Sequence, residues 1–168
     1  NTLKDARIFT TAGSEEKLEL CRSLGAELAI NYHDQSYADR ITEKAGKDSV
    51  HVIIDFIGAP YWKDNIHVAA LDARIILLSM LGGAVVDQVS LVPILKKRLT
   101  ILGSTLRNRS QEYKIELMDR FWSDTSGLFQ NKEIQPVIDS IYDWKDAEKA
   151  HKRMANNQNA GKIILTGM

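Results

Sequence analysis

One cysteine, three prolines and no long apolar run mark this 168-residue chain first by what it lacks. With Cys21 alone, no internal disulfide and no cysteine-rich zinc site can form. Cys21 falls on the apolar period of a helix, the place of a packed, inert thiol. No stretch is long and apolar enough to span a bilayer. The polar start from Asn1 to Arg7 lacks the order of charged, apolar and small residues that marks a signal peptide, so a cytoplasmic chain is expected. Net charge is missing too, with 22 Lys and Arg against 22 Asp and Glu, so no global field draws the chain to nucleic acid or anionic lipid. The histidines His33, His51, His67 and His151 have no metal-ligand spacing, and no metal is expected. No Ser-His-Asp or Cys-His pattern occurs either, and no catalytic acid, base or nucleophile is assigned. A dinucleotide fold normally opens on G-x-G-x-x-G, and that motif is also absent.

What is present is enough apolar content, 44%, for one folded core. Apolar runs recur at residues 7–11, 28–31, 50–56, 74–79 and 99–104. Their near-continuous Val, Ile and Leu content predicts strands covered on both faces, as in a parallel sheet. Between them "SEEKLELCRSLG", "YADRITEKAG", "YWKDNIHVAAL" and "LVPILKKR" have helical period or crossover length, with Gly25 and Gly46 as C-terminal stops. The fold class is α/β, a Rossmann-like doubly wound and mostly parallel sheet. After Thr105 the pattern changes to one long amphipathic helix, "SQEYKIELMDRFWSDTSGLF". An extended piece "IQPVIDSIYDW", a helix "KDAEKAHKRMANNQ" and a last strand "GKIILT" follow.

In open parallel sheets ligands sit beyond the carboxyl ends of the strands. Glycine occurs at three such ends, as Gly13, Gly58 and the pair Gly82 and Gly83, where a missing side chain admits a flat or phosphorylated ligand. A plain turn requirement explains each glycine singly. In the turn after the first strand, Ser14 and Lys17 offer a donor and a cation where NAD-binding sheets carry a carboxylate for the ribose. That pair suits a 2′-phosphate at a helix N-terminus. It equally suits a plain N-cap with a solvated lysine, the neighbouring Glu15 and Glu16 compensating the helix dipole. Tyr32 stands beyond the next strand, where an adenosine or simply the rim of the core would meet it. Arg107 follows the last buried strand.

The segments "TTAGSEEKLELCRSLGAELAINY", "VIIDFIGAPYWKDNI", "LDARIILLSMLGG", "KKRLTILGSTLRNR" and "AEKAHKRMANNQNAGKIILT" together resemble the medium-chain dehydrogenase/reductase superfamily. Within it they are most similar to the zinc-free NADPH:quinone oxidoreductases of the p53-inducible type, over essentially the whole chain. The resemblance implies hydride transfer from NADPH to quinones or other electron-poor small molecules. It implies that the turn of Gly13, Ser14 and Lys17 receives the 2′-phosphate and that Tyr32 lies near the adenosine. Gly58, Ser79, Met80, Gly82, Thr105, Leu106 and Arg107 would line the cofactor towards the nicotinamide. By the same resemblance, residues 1–133 are a partial NADP-binding Rossmann domain, beginning after its first strand and glycine-rich turn. Residues 134–168 would pack partly on a GroES-like catalytic domain that this chain does not contain. In the order 3-2-1-4-5-6 the first strand is central, so the neighbouring strands either close up, receive a filler from another chain, or leave the chain marginally folded. The edge strand at Leu99–Ser104 is expected to pair in a homodimer. Two other readings stay open: a non-catalytic nucleotide-binding or dimerisation module, and a reductase of enoyl or alkenal substrates.

Overall fold

The computed structural model describes residues 6–167; Asn1–Asp5, which make up most of the polar start, and Met168 lie outside the described residues. The chain is α/β, with every paired strand parallel to its neighbour. It runs β1 (Phe9–Ala12), α1 (Glu15–Ser23), β2 (Leu28–Asn31), α2 (Tyr37–Ala45), β3 (Val50–Asp55), α3 (Trp62–Val68), β4 (Ala69–Leu77), α4 (Val92–Lys97) and β5 (Thr100–Gly103). Then come α5 (Gln111–Gln130), β6 (Ile138–Asp143), α6 (Ala147–Ala155) and β7 (Lys162–Thr166).

The helix ends follow local chemistry. Ser14, Ser36 and Ser110 cap α1, α2 and α5, each accepting from the backbone N–H three residues on. Gly25 and Gly46 adopt φ of +94° and +87° just past α1 and α2, where the chain must leave the helix. One boundary departs from the sequence expectation. The stretch "HVAAL" continues a helical period on paper, yet α3 stops at Val68 and β4 starts at Ala69. The deciding group comes from α4: the Lys97 ammonium donates to the carbonyls of Ile66, His67 and Ala69 at 2.8–2.9 Å, satisfying the end of α3. Ala69, Ala70 and Ala73 are then buried together in β4, with Ile53 and Leu99 packed against them.

The sheet is not continuous. β1 pairs with β2, β3 with β4 and β4 with β5, but β1 and β3 share no ladder. Of the three outcomes open in the sequence, direct closure is therefore not what is seen. Thr10 and Thr11 of β1 face Val52, Ile53 and Ile54 of β3 across a cleft of about 260 Å³. Its floor is helical, formed by Tyr37 and Ile41 of α2 and Val68 of α3. The main core lies below it, where Ile30, Tyr37, Ala38, Ile41 and Val68 are buried and bring β2, α2 and α3 together. The expectation of strands covered on both faces is also corrected. Ile53 is packed, but Val52, Ile54 and Phe56 point to the open side and are about half exposed. The amphipathic helix α5 forms as expected, yet only Thr125 in it is buried, while Ile115, Met118 and Trp122 stay exposed.

The C-terminal residues build a separate parallel pair, β6 with β7, connected by α6. Asp139 organises it. Its carboxylate receives both arms of Arg153 at 2.7 and 2.9 Å, the Ala160 N–H at 2.8 Å and the Ser140 hydroxyl at 2.7 Å. The Arg153 guanidinium first, then the two other donors, hold this carboxyl well below the usual carboxylate range. Because the folded group is the stronger acid, the unfolded chain binds protons first on acidification. The stabilisation is therefore complete above the ordinary Asp value of about 3.9 and is lost as pH falls below it. Thermal midpoints measured from pH 6 to pH 2 are expected to fall more steeply for the wild type than for Asp139→Asn, the two curves converging in acid. Parallel curves would refute this assignment.

Candidate cofactor site

Two clusters form at the carboxyl ends of the strands. The first surrounds the turn after β1. The Ser14 Oγ accepts from the Lys17 N–H at 3.4 Å, and its carbonyl accepts from Leu18 at 3.0 Å, so the turn is locked to α1. Tyr32 follows β2 and donates its N–H to the Ala12 carbonyl at 3.3 Å, which extends the β1–β2 ladder and lays the ring beside Gly13. A methyl group on Gly13 would overlap the Tyr32 Oη, so any other residue here would displace the Tyr32 ring from its present place. Tyr32 leans on His33, with ring centroids 4.4 Å apart, and keeps 38% of its surface open. Gly13, Ser14 and Tyr32 are thus brought together. The side chain of Lys17 is engaged elsewhere: its Nζ donates to the carbonyl and to the Oδ1 of Asn157, both at 2.7 Å.

The second cluster joins the ends of β3 and β4. Asp55, 4% exposed, ends β3 and turns its carboxylate back on the chain. Oδ1 accepts from the N–H groups of Ile57 and Gly58 at 2.7 and 3.0 Å, and Oδ2 accepts from Asn65 Nδ2 at 2.9 Å. The Asn65 Oδ1 in turn accepts from the Tyr37 hydroxyl at 2.9 Å. Burial pushes the Tyr37 hydroxyl far above the ordinary phenol range, so it remains a neutral donor. The turn so fixed carries Gly58 at φ +86°, and the segment after β4 runs along it. Leu81 and Gly82 donate to the carbonyls of Phe56 and Ile57, and Ala59 donates to Gly83, at 2.9–3.0 Å. Met80 and Gly83 are thereby held against Gly58, and Gly82 against Ile57 and Pro60, while Ser79 makes no such contact among the described residues. A Cβ on Gly58 would lie 2.6 Å from both the Gly83 carbonyl and Met80 Sδ, and one on Gly82 would lie 2.8 Å from Ile57. Beyond β5, Ser104 donates to the Leu77 carbonyl at 3.0 Å, and Thr105, Leu106 and Arg107 follow as an exposed loop beside the end of β4. Between the two clusters the Tyr61 hydroxyl donates to Thr11 Oγ1 at 3.4 Å, at the end of the β1–β3 cleft.

Asp55 and Asn157 are the residues that sequence reasoning missed. Asp55 had a signal, an acidic residue ending an apolar strand three positions before a glycine, the pattern of a side chain that caps its own turn. Asn157 had none, since it meets Lys17 across 140 positions. Among the described residues no group of three or more His, Cys, Asp or Glu side chains is gathered as metal ligands would be, and no helix is long and apolar enough to cross a membrane.

Residues 2–123 match the family model described as zinc-binding dehydrogenase. The chain belongs to the zinc-binding dehydrogenase family. This places it in the medium-chain dehydrogenase/reductase superfamily, as the combined motifs implied, with an α/β architecture like that of the superfamily's nucleotide-binding domains. Over 96% of its length the chain is 24% identical to quinone oxidoreductase-like protein 2 of Bos taurus, spanning 46% of that protein. Among solved structures it is similar to an NAD-dependent alcohol dehydrogenase, at a TM-score of 0.77 and 23% identity, over 98% of this chain and 45% of that one. It is also similar to a mycobacterial protein solved in complex with NADPH, at 0.72 and 19%, over 95% of this chain and 48% of that one. The chain thus spans about half the length of the relatives it matches. At these identities the structural likeness establishes the fold, and the family establishes an oxidoreductase nucleotide-binding domain.

Proposed function

We propose that this member of the zinc-binding dehydrogenase family is the NADPH-binding portion of a quinone oxidoreductase, in which hydride passes from the nicotinamide to a quinone or another electron-poor small molecule. The observation that carries this reading is that Gly13, Ser14 and Tyr32 gather at the carboxyl ends of β1 and β2, and Gly58, Met80 and Gly82 at those of β3 and β4, with the Tyr61 to Thr11 hydrogen bond between the two ladders. The residues fit the cofactor. Ser14 with the free N–H groups of α1 and the Lys17 ammonium would hold a 2′-phosphate, and Tyr32 would cover the adenosine. The backbone around Gly58 and Gly82, with Ser79, Met80 and Thr105 to Arg107, would line the path to the nicotinamide. The bound cofactor would supply the hydride; the residues of this chain bind and orient it, and none is asked to move a proton.

Calorimetric titration of the chain with NADPH and with NADH tests the reading. NADPH is expected to bind at least about tenfold more tightly, equivalent to about 1.4 kcal/mol. Lys17→Ala is expected to remove that preference while leaving NADH affinity within about twofold. Equal affinities in the wild type would sink the 2′-phosphate assignment. Binding of neither cofactor by a folded chain would favour the non-catalytic module.

The same reading carries a homodimer. β5 pairs with β4 along one edge only, and Leu102 is 45% exposed on it, so a second copy can continue the ladder across a two-fold axis. Sedimentation at micromolar concentration is expected to give twice the chain mass, and a monomeric mass would argue against it.

A further inference from the structure

Lysine is a flexible point charge, and at the rim of a binding turn it is normally held by nothing but water. Lys17 is different. Its ammonium has three donors, and a single residue takes two of them, the Asn157 carbonyl and the Asn157 Oδ1, both at 2.7 Å. Asn157 can do this because of where α6 ends. Its N–H closes back on the Met154 carbonyl at 2.9 Å, the N–H of Gln158 returns to Arg153 at 3.1 Å, and Asn157 itself takes φ +54°. That left-handed turn, which asparagine tolerates well, swings the carbonyl away from the helix and onto the same side as the amide oxygen.

We propose that Asn157 is a positioning residue for nucleotide specificity: it holds the ammonium of Lys17, a residue of the first turn of α1, with one of its three N–H donors left for the 2′-phosphate. The preference for a phosphorylated ribose thereby depends on the docking of the β6–α6–β7 unit. This rests on the proposed role of the Gly13 to Lys17 turn as the 2′-phosphate site. The physical grounds are two. Both acceptors on Asn157 are uncharged, so they orient the cation without neutralising it. A side chain already held in place has less freedom to lose when the ligand arrives.

Two variants separate positioning from charge. Asn157→Gly accepts the same positive φ and removes the side chain with its Oδ1, leaving the backbone carbonyl as the one acceptor for Lys17. Asn157→Asp keeps the shape and adds a carboxylate that pairs with Lys17 and repels a phosphate. Titrations of the full chain with NADPH and NADH are expected to show NADPH affinity about threefold weaker in Asn157→Gly and about tenfold weaker in Asn157→Asp. NADH affinity should stay within about twofold of wild type in both. Circular dichroism establishes that each variant is folded. A merely structural tie would weaken both cofactors alike, and that outcome, or an unchanged NADPH to NADH ratio in both variants, overturns the proposal. A wild-type chain without preference overturns the role of the turn and this inference with it, whereas a preference abolished by Lys17→Ala but untouched at Asn157 overturns only this inference.

Discussion

Asp55→Ala is expected to cost about 3 kcal/mol or more of folding stability, read as a lowered urea midpoint with little change in slope. One carboxylate, that of Asp55, accepts from three donors: the N–H groups of Ile57 and Gly58 and the amide of Asn65. Each buried donor left without a partner costs about 1–3 kcal/mol, and water entering the vacated space recovers part of the sum. The loss also propagates, because Asn65 is the group that receives the Tyr37 hydroxyl, and Tyr37 belongs to the buried cluster that brings β2, α2 and α3 together. Asp55→Asn separates acceptor from charge. It retains one oxygen for the two turn amides but sets an NH₂ group against Asn65, so a smaller loss of about 1–2 kcal/mol is expected. An alanine variant within about 0.5 kcal/mol of wild type would show that the network does not hold the turn.

Gly58→Ala should be the most damaging of the glycine substitutions in the second cluster, the one proposed to face the nicotinamide. At φ +86° and ψ −127° only glycine is unstrained, which alone costs an alanine about 1–3 kcal/mol. The new methyl would also sit 2.6 Å from the Gly83 carbonyl, the acceptor that binds Ala59, and backbone cannot give way there as a flexible side chain would. Met80 can swing its sulfur aside; Gly83 cannot. The expected result is a loss of about 2 kcal/mol or more together with weakened binding of either nicotinamide cofactor, since the segment from Ser79 to Gly83 shifts with the turn. Gly103→Ala is the control. A Cβ there meets nothing within 4 Å and the backbone is extended, so a change within about 0.5 kcal/mol is expected. Equal effects at the two positions would remove the argument from close approach.

The fold was legible where a local pattern coincided with its tertiary surroundings. The run at Leu28–Asn31 became a strand with its limits unchanged and that at Leu99–Ser104 one shortened to Thr100–Gly103, and Ser14 capped the helix that its position announced. Legibility failed where a distant residue decided the outcome. The end of α3 depends on Lys97, about 30 positions away, whose ammonium satisfies carbonyls that a longer helix would otherwise keep. At the site, the glycines announced themselves, because close approach leaves a mark in composition. The engagement of Lys17 by Asn157 left none, since it depends on how two units of the chain dock. The exposed faces of β3 and α5 were equally hidden: an apolar pattern records that a face can be covered, not what covers it.

The interrupted sheet also has a mechanical meaning. Hydrogen-bonded ladders resist bending and spreading, so the β1–β2 pair and the β3–β4–β5 trio are two stiff plates. Among the described residues the seam between them is bridged by packed side chains and by the long Tyr61 to Thr11 contact, with no ladder across it, and it should yield more readily than either plate. Gly13 and Tyr32 ride on the first plate, Gly58 and Met80 on the second. A small molecule that grips one cluster leaves the seam as soft as before, whereas one long enough to grip both acts as a strut and stiffens the pair.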